Sequence, residues 1–293
     1  MTDDSIRARA IALYDRFTHE HHDRRAFMRE MTLLAGSAAA AAALVEAIAA
    51  SPAAAAAVDP ADPRLVTRKG GYAVGGGRMM TGYFAAPRKP GRKVGAVMVI
   101  HENRGLNAHT EDVARRVALA GYFAVAPDFL SDYGGTPADE DQAREMIGKV
   151  DYDKVIGAGF ATLGRLKGLA NGNGKAGMVG FCWGGAMVHQ VALAAGAGVD
   201  AAVSYYGPAP APEAAARLQA PLMIHLAGND ARVNTTAQPY AAAAKAAGKD
   251  VTLHEYAGVE HAFNNDTSAE RYDMAAAELA WGRTLAFFER HLA

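Results

Sequence analysis

The sequence has one cysteine in 293 residues and only two tryptophans. It also has no strongly apolar run of the ~20 residues that a membrane helix needs, so no stable membrane span is expected. A single thiol cannot close an internal disulfide. A disulfide-stapled scaffold and a multi-cysteine metal site are therefore excluded, whichever redox compartment the chain occupies. Excess charge of one sign is missing too: 30 Lys and Arg against 31 Asp and Glu leave a formal net charge of −1. There is thus no basic footprint for nucleic acid. What is present is a chain that is 51% hydrophobic and long enough for one large α/β domain with an appendage.

The composition changes near residue 60. Arg24 and Arg25, followed by Phe27, Met28 and an uncharged run from Met31 to Val45, resemble a twin-arginine export signal. Export is the sharper reading of residues 1–60; it favours a periplasmic over a cytoplasmic location and a mature chain that begins near residues 51–60. The other reading is a retained helical arm, because "SIRARAIALYDRFTHEH" and the alanine run are strong helix formers. Asp23 before the arginines and Glu46 after the run also depart from the usual signal pattern. The histidines of "HEHH" at 19–22 have no further metal ligand at a useful spacing and are expected to form a solvated polar turn.

Residues 61–293 alternate short apolar runs with helical stretches. "LVTRKGGYAV" and "GYFAAPR" read as an opening antiparallel pair. "GAVMVI", "YFAVAP", "AGMVGF", "AAVSYY", "LMIHLAG" and "VTLHEYAG" then read as buried strands. Helical segments lie between them, including one from residue 138 to 166, and an amphipathic helix closes the chain. This order implies an α/β fold: a mostly parallel eight-stranded sheet with helices on both faces. The glycines and proline of "SDYGGTPADEDQ" favour a loop.

In such sheets chemistry gathers at the carboxyl ends of the strands. There the one cysteine stands in "GFCWGG", with Gly180 and Gly184 two residues to either side of Cys182. This is the spacing of a nucleophile elbow, in which a sharp strand-to-helix turn leaves no room for side chains beside the nucleophile. The following helix N-terminus favours a thiolate. The elbow architecture orders its partners nucleophile, acid, histidine. Asp230 after "LMIHLAGN" and His261 after "VTLHEYAG" fill those places, Asp230 orienting the imidazole and His261 moving the proton. His225 and His254 lie inside strand runs and His189 too far along the next helix. The backbone N–H of Trp183 and that of Asn103 in "HENRGLN" are the expected oxyanion donors, and Glu102 stands beside the site.

Together "HENRGL", "APDF", "GFCWGG", "AGNDARV" and "EHAFNN" resemble the dienelactone hydrolase (carboxymethylenebutenolidase) family of α/β-hydrolases, over residues ~64–293. The resemblance implies a triad of Cys182, Asp230 and His261 that opens an enol lactone or a small carboxylic ester without metal or organic cofactor. It also implies that Glu102 holds the cysteine protonated until substrate arrives. Two departures bear on the substrate. The family grips a substrate carboxylate with two arginines, and here Asp132 stands near the first position and Asn265 at the second. Arg104, Arg232 and Arg271 are the candidate substitutes. Tyr133, Phe263, Trp183, Tyr205 and Tyr206 are candidates for the cleft wall, with Asn265 among the substrate-facing residues. The expected partner is therefore a small-molecule ester or lactone. A general carboxylesterase or thioesterase is the alternative within enzymes, and a non-catalytic binding protein on the same shell the alternative outside them.

Overall fold

Eight strands form one sheet in the computed structural model, which describes residues 3–20, 23–49 and 57–293. They are β1 (Leu65–Ala73), β2 (Met79–Pro87), β3 (Val94–Ile100), β4 (Phe123–Pro127), β5 (Gly172–Phe181), β6 (Ala201–Tyr205), β7 (Leu222–Ala227) and β8 (Val251–Tyr256). The sheet order is β1-β2-β4-β3-β5-β6-β7-β8. β1 pairs antiparallel with β2, and β2 with β4, while every other pairing is parallel. The inner parallel strands β3, β6 and β7 are buried on both faces, which is why they read as unbroken apolar runs.

On one face α4 (Ala108–Leu119) and α9 (Met274–Leu292) pack over Val97, Val99 and Phe181. On the other lie α5 (Glu140–Ile147), α6 (Tyr152–Lys167), α7 (Trp183–Ala195) and α8 (Ala231–Ala246), packed over Met98, Ile100 and Met178. The helix expected from 138 to 166 is two. Gly148 follows the last turn of α5, and the side chain of Asp151 accepts from Lys154 N at 3.2 Å to start α6, so capping chemistry breaks a run that periodicity alone would join.

The amino-terminal segment is a three-helix arm: α1 (Asp3–His19), α2 (Arg24–Ala35) and α3 (Ala38–Ile48). The arm has its own core, with Tyr14, Phe17, Phe27, Met31, Ala41 and Ile48 buried. The run expected as an export signal folds as α2 and α3, and Arg24 forms an ion pair with Asp141 of α5. Among the described residues no single helix is long and apolar enough to cross a membrane. α2 and α3 together reach that length and composition but are bent by 106°. The proposed cleavage region at 51–60 lies partly outside the described residues.

The arm docks across the carboxyl ends of the strands. The Ile48 carbonyl accepts from Ser268 Oγ at 2.7 Å and from Arg271 Nε at 3.1 Å, and the Thr18 carbonyl accepts from Asn103 Nδ2 at 3.1 Å. Arg144 of α5 lies over the Phe17 ring, 4.5 Å from its centroid.

Candidate active site

Cys182 sits on a strained turn between β5 and α7, with φ 54° and ψ −113°. The glycines around it are sterically required. A Cβ on Gly180 would run into the Gly184 carbonyl, and one on Gly184 into the carbonyls of Ile100 and His101. Cys182 N donates to the Tyr205 carbonyl at 3.0 Å, tying the turn to the neighbouring strand. Cys182 as a residue is 4% exposed.

The loops after β7 and β8 are joined by Gly228 N to Tyr256 O at 2.8 Å and Asn229 N to Val259 O at 3.0 Å. That pairing brings His261 onto Asp230, with Nδ1 donating to Oδ2 at 2.5 Å. Asp230 Oδ1 accepts from Val233 N at 3.2 Å, so the same carboxylate caps α8. The cap and the imidazole partner are one residue. Burial opposes protonation of His261, but the charges of Asp230 and Cys182 outweigh it and raise its pKa to about 10. Its Nε2 is buried without a hydrogen-bond partner.

The solvated turn expected of "HEHH" is corrected at its first residue. His21 and His22 lie outside the described residues, but His19 ends α1 inside the site, with its Nε2 3.1 Å from Cys182 Sγ. Its Nδ1 is 2.8 Å from the Asp15 carbonyl, which can only accept, so Nδ1 carries a proton. Burial, and then the charges of His261 and Arg232, hold its pKa well below the ordinary histidine value. A neutral ring with Nδ1–H presents Nε2 as an acceptor, and the Cys182 thiol is what it faces. The His19 and His261 rings meet edge to face at 4.8 Å between centroids.

Glu102 is placed one step back from the sulfur. Its Oε1 accepts from Tyr206 OH at 3.4 Å and its Oε2 from Asn265 Nδ2 at 3.0 Å, so the hydrogen-bond position beside Cys182 belongs to His19. Among the described residues, the backbone N–H groups of Trp183 and Asn103 make no hydrogen bond within the chain. Trp183, first in α7, has no intrahelical acceptor. Its indole stacks on His101 at 5.2 Å. His101 Nε2 accepts from Phe129 N at 3.3 Å while Nδ1 donates to the Glu102 carbonyl at 2.7 Å, which fixes this histidine as a neutral prop for the tryptophan.

Beside Cys182 is a cavity of about 570 Å³, bounded by His19, Asn103, Trp183, Arg144 and Arg232. The other residues expected to face substrate are engaged elsewhere. Arg104 binds Glu140 at 2.9 Å and Tyr14 OH at 2.6 Å, and Arg271 is buried against Ile48, Asp15 and the Tyr14 ring. Phe263 is core, packed on Tyr205, Tyr206 and Tyr256. Tyr133 lies on an exposed 3-10 turn and accepts from Asp151 N, and Asn265 is fully buried against Glu102. Asp132 pairs with Arg78. Arg232 is the candidate that does line the cavity, and Arg144 joins it without having been expected. Arg232 Nη2 and Arg144 Nε are both buried without a hydrogen-bond partner.

The chain can now be set beside known proteins. Residues 80–292 match the dienelactone hydrolase family. "Protein usf" of Aquifex pyrophilus is 32% identical over 74% of this chain and 95% of its own length. An Escherichia coli protein named "Putative carboxymethylenebutenolidase" is 29% identical over 73% and 84%. Among solved structures, the dienelactone hydrolase of Anabaena variabilis superposes with a TM-score of 0.62 at 18% identity, covering 78% of this chain and 100% of its own. Its likeness bears on the fold, that of the α/β-hydrolases. The arm that delivers His19 precedes the matched residues.

Proposed function

The chain belongs to the dienelactone hydrolase family, and on that premise we propose that it hydrolyses lactones or small carboxylic esters through a thioester on Cys182. The observation that carries the reading is the Asp230–His261 hydrogen bond at 2.5 Å, set beside a strained cysteine at a helix N-terminus. With the proton shared by Cys182 and His261 resting on His261 Nε2, as the raised pKa of that ring favours, Cys182 sulfur adds to the ester carbonyl carbon as the thiolate, and the carbonyl oxygen becomes an oxyanion between the N–H groups of Trp183 and Asn103. Collapse breaks the carbon–oxygen bond, and His261 gives its proton to the departing alkoxide or enolate. Water then attacks the thioester with its proton going to His261, which returns it to the sulfur as the acid leaves. Glu102, held by Tyr206 OH and Asn265 Nδ2 on its two oxygens, is the residue to which this reading gives control of the thiol's proton.

Arg232 and Arg144 line the cavity beside Cys182, each with a buried guanidinium nitrogen that lacks a hydrogen-bond partner, and they point the reading to substrates that carry a carboxylate. The test is turnover of a dienelactone and of a panel of neutral aryl esters, with Cys182→Ala alongside. Turnover that falls by at least about a thousandfold in Cys182→Ala supports the nucleophile, and preference for the anionic lactone supports the arginines. Undiminished turnover in Cys182→Ala would overturn the thioester route, and a preference for neutral linear esters would favour a general esterase.

A further inference from the structure

We propose that the arm and the elbow together form a binding site for a thiophilic divalent cation such as zinc, with His19 Nε2, Cys182 Sγ and His261 Nε2 as its ligands. One ligand atom from each of these residues lies within 4.8 Å of the other two. In a tetrahedral zinc site with bonds of ~2.0–2.3 Å the ligands are ~3.4 Å apart, so side-chain rotations of about 1 Å close the remaining gap. The donor set of one thiolate and two imidazoles, with a fourth position left open, is one that zinc accepts.

Two features mark this as more than a chance cluster. His261 Nε2 is a buried ring nitrogen with no hydrogen-bond partner, in a residue 2% exposed. Each imidazole is also fixed through its far nitrogen, His261 by Asp230 at 2.5 Å and His19 by the Asp15 carbonyl at 2.8 Å. That is how metal-binding histidines are oriented, with the ligating nitrogen turned inward and the tautomer set from behind. Of the arginines whose charge reaches His19, Arg271 pairs with Asp15 at 3.6 Å and Arg232 is offset by the Asp230 carboxylate. Binding forms the zinc–sulfur bond as the thiol proton leaves to solvent, and it displaces any proton on His261 Nε2.

A metal held there occupies the lone pairs that attack and proton transfer require, so it inhibits hydrolysis reversibly. This inhibition rests on the reading of Cys182 and His261 as the catalytic pair; the site itself does not. The experiment is zinc binding to chelator-treated, reduced full-length protein, followed by competition with a chromophoric chelator and by cobalt as a spectroscopic substitute. We expect one zinc per chain and a thiolate-to-cobalt charge-transfer band. His19→Ala should weaken binding at least tenfold and Asp230→Asn by about 10–100-fold, while His254→Ala, on β8, keeps the wild-type value. His19→Gln with unaltered circular dichroism guards against a merely unfolded arm.

Zinc binding undiminished in both His19 variants, or no stoichiometric binding, would overturn the site. Turnover measured in chelator separates the two readings. A protein that binds zinc as expected but turns over no ester leaves the site standing and removes the hydrolase. One that turns over ester and is indifferent to an equivalent of bound zinc removes the inhibition.

Discussion

A single oxygen-to-backbone contact and a single oxygen-to-imidazole contact share the carboxylate of Asp230, so this residue couples the stability of α8 to the tautomer of His261. Asp230→Asn keeps the cap acceptor but weakens the charge that holds His261 protonated. The expected result is a folded protein whose His261 titrates well below its present value of about 10, read by NMR of the ring protons. Asp230 and His261 were legible because the elbow architecture fixes their order along the chain, and Cys182 because glycines at 180 and 184 have a steric cause that can be read from spacing. His19 was not legible as a partner. It meets Cys182 across 163 residues, and nothing in "HEHH" says which way the end of α1 points. Arg232 and Trp183 line the cavity as expected, but Arg104, Arg271, Tyr133, Phe263 and Asn265 are engaged elsewhere for a related reason. Arginine and aromatic types suggest contact, but whether Arg104 faces a cavity or Glu140 is decided by packing that no local pattern encodes.

Among the elements, β3, β6 and β7 stand where the apolar runs put them, since a strand buried on both faces must be apolar along its length. The boundary between α5 and α6 was hidden because periodicity continues through Gly148 to Asp151. The arm raised two readings at once, because an export signal and a buried helical hairpin both require an apolar, alanine-rich run. In the full chain that run buries Phe27, Met31 and Ile48, and the arm bonds to Ser268, Arg271 and Asn103. Phe17 stacks on Phe27 at 4.3 Å and carries Arg144 on its ring, so it joins the arm's core to the domain. Phe17→Ala should cost the arm about 3–5 kcal/mol and leave the sheet intact. Hydrogen exchange would then speed up in α1–α3 while amides of β3 and β5 keep their protection. Equal acceleration in both would show that the arm and sheet unfold as one unit.

For the molecule as a whole, buried histidines set how stability depends on pH. Burial lowers the pKa of His189 to about 4 and lowers those of His225 and His101. The unfolded chain takes up these protons near pH ~6.5, the folded chain only at lower pH. Stability from the neutral rings is thus complete above pH ~6.5 and is lost as pH falls toward 4, about 3 kcal/mol for His189 alone. His261 has the opposite sign: its contribution is complete below ~6.5 and is lost as pH rises through about 10. The urea midpoint should therefore peak near neutrality, and His189→Leu should flatten only the acid limb. An acid limb unchanged in that variant would place the loss elsewhere.

As long as the arm stays joined to the domain it covers, the meeting of His19 with Cys182 is a unimolecular equilibrium. Dilution cannot dissociate the arm, and raising the protein concentration cannot drive it back. The fraction of molecules with a covered thiol is then a constant of the sequence at a given temperature, and mild denaturant or a substitution in the arm's core shifts it where a change of concentration does not.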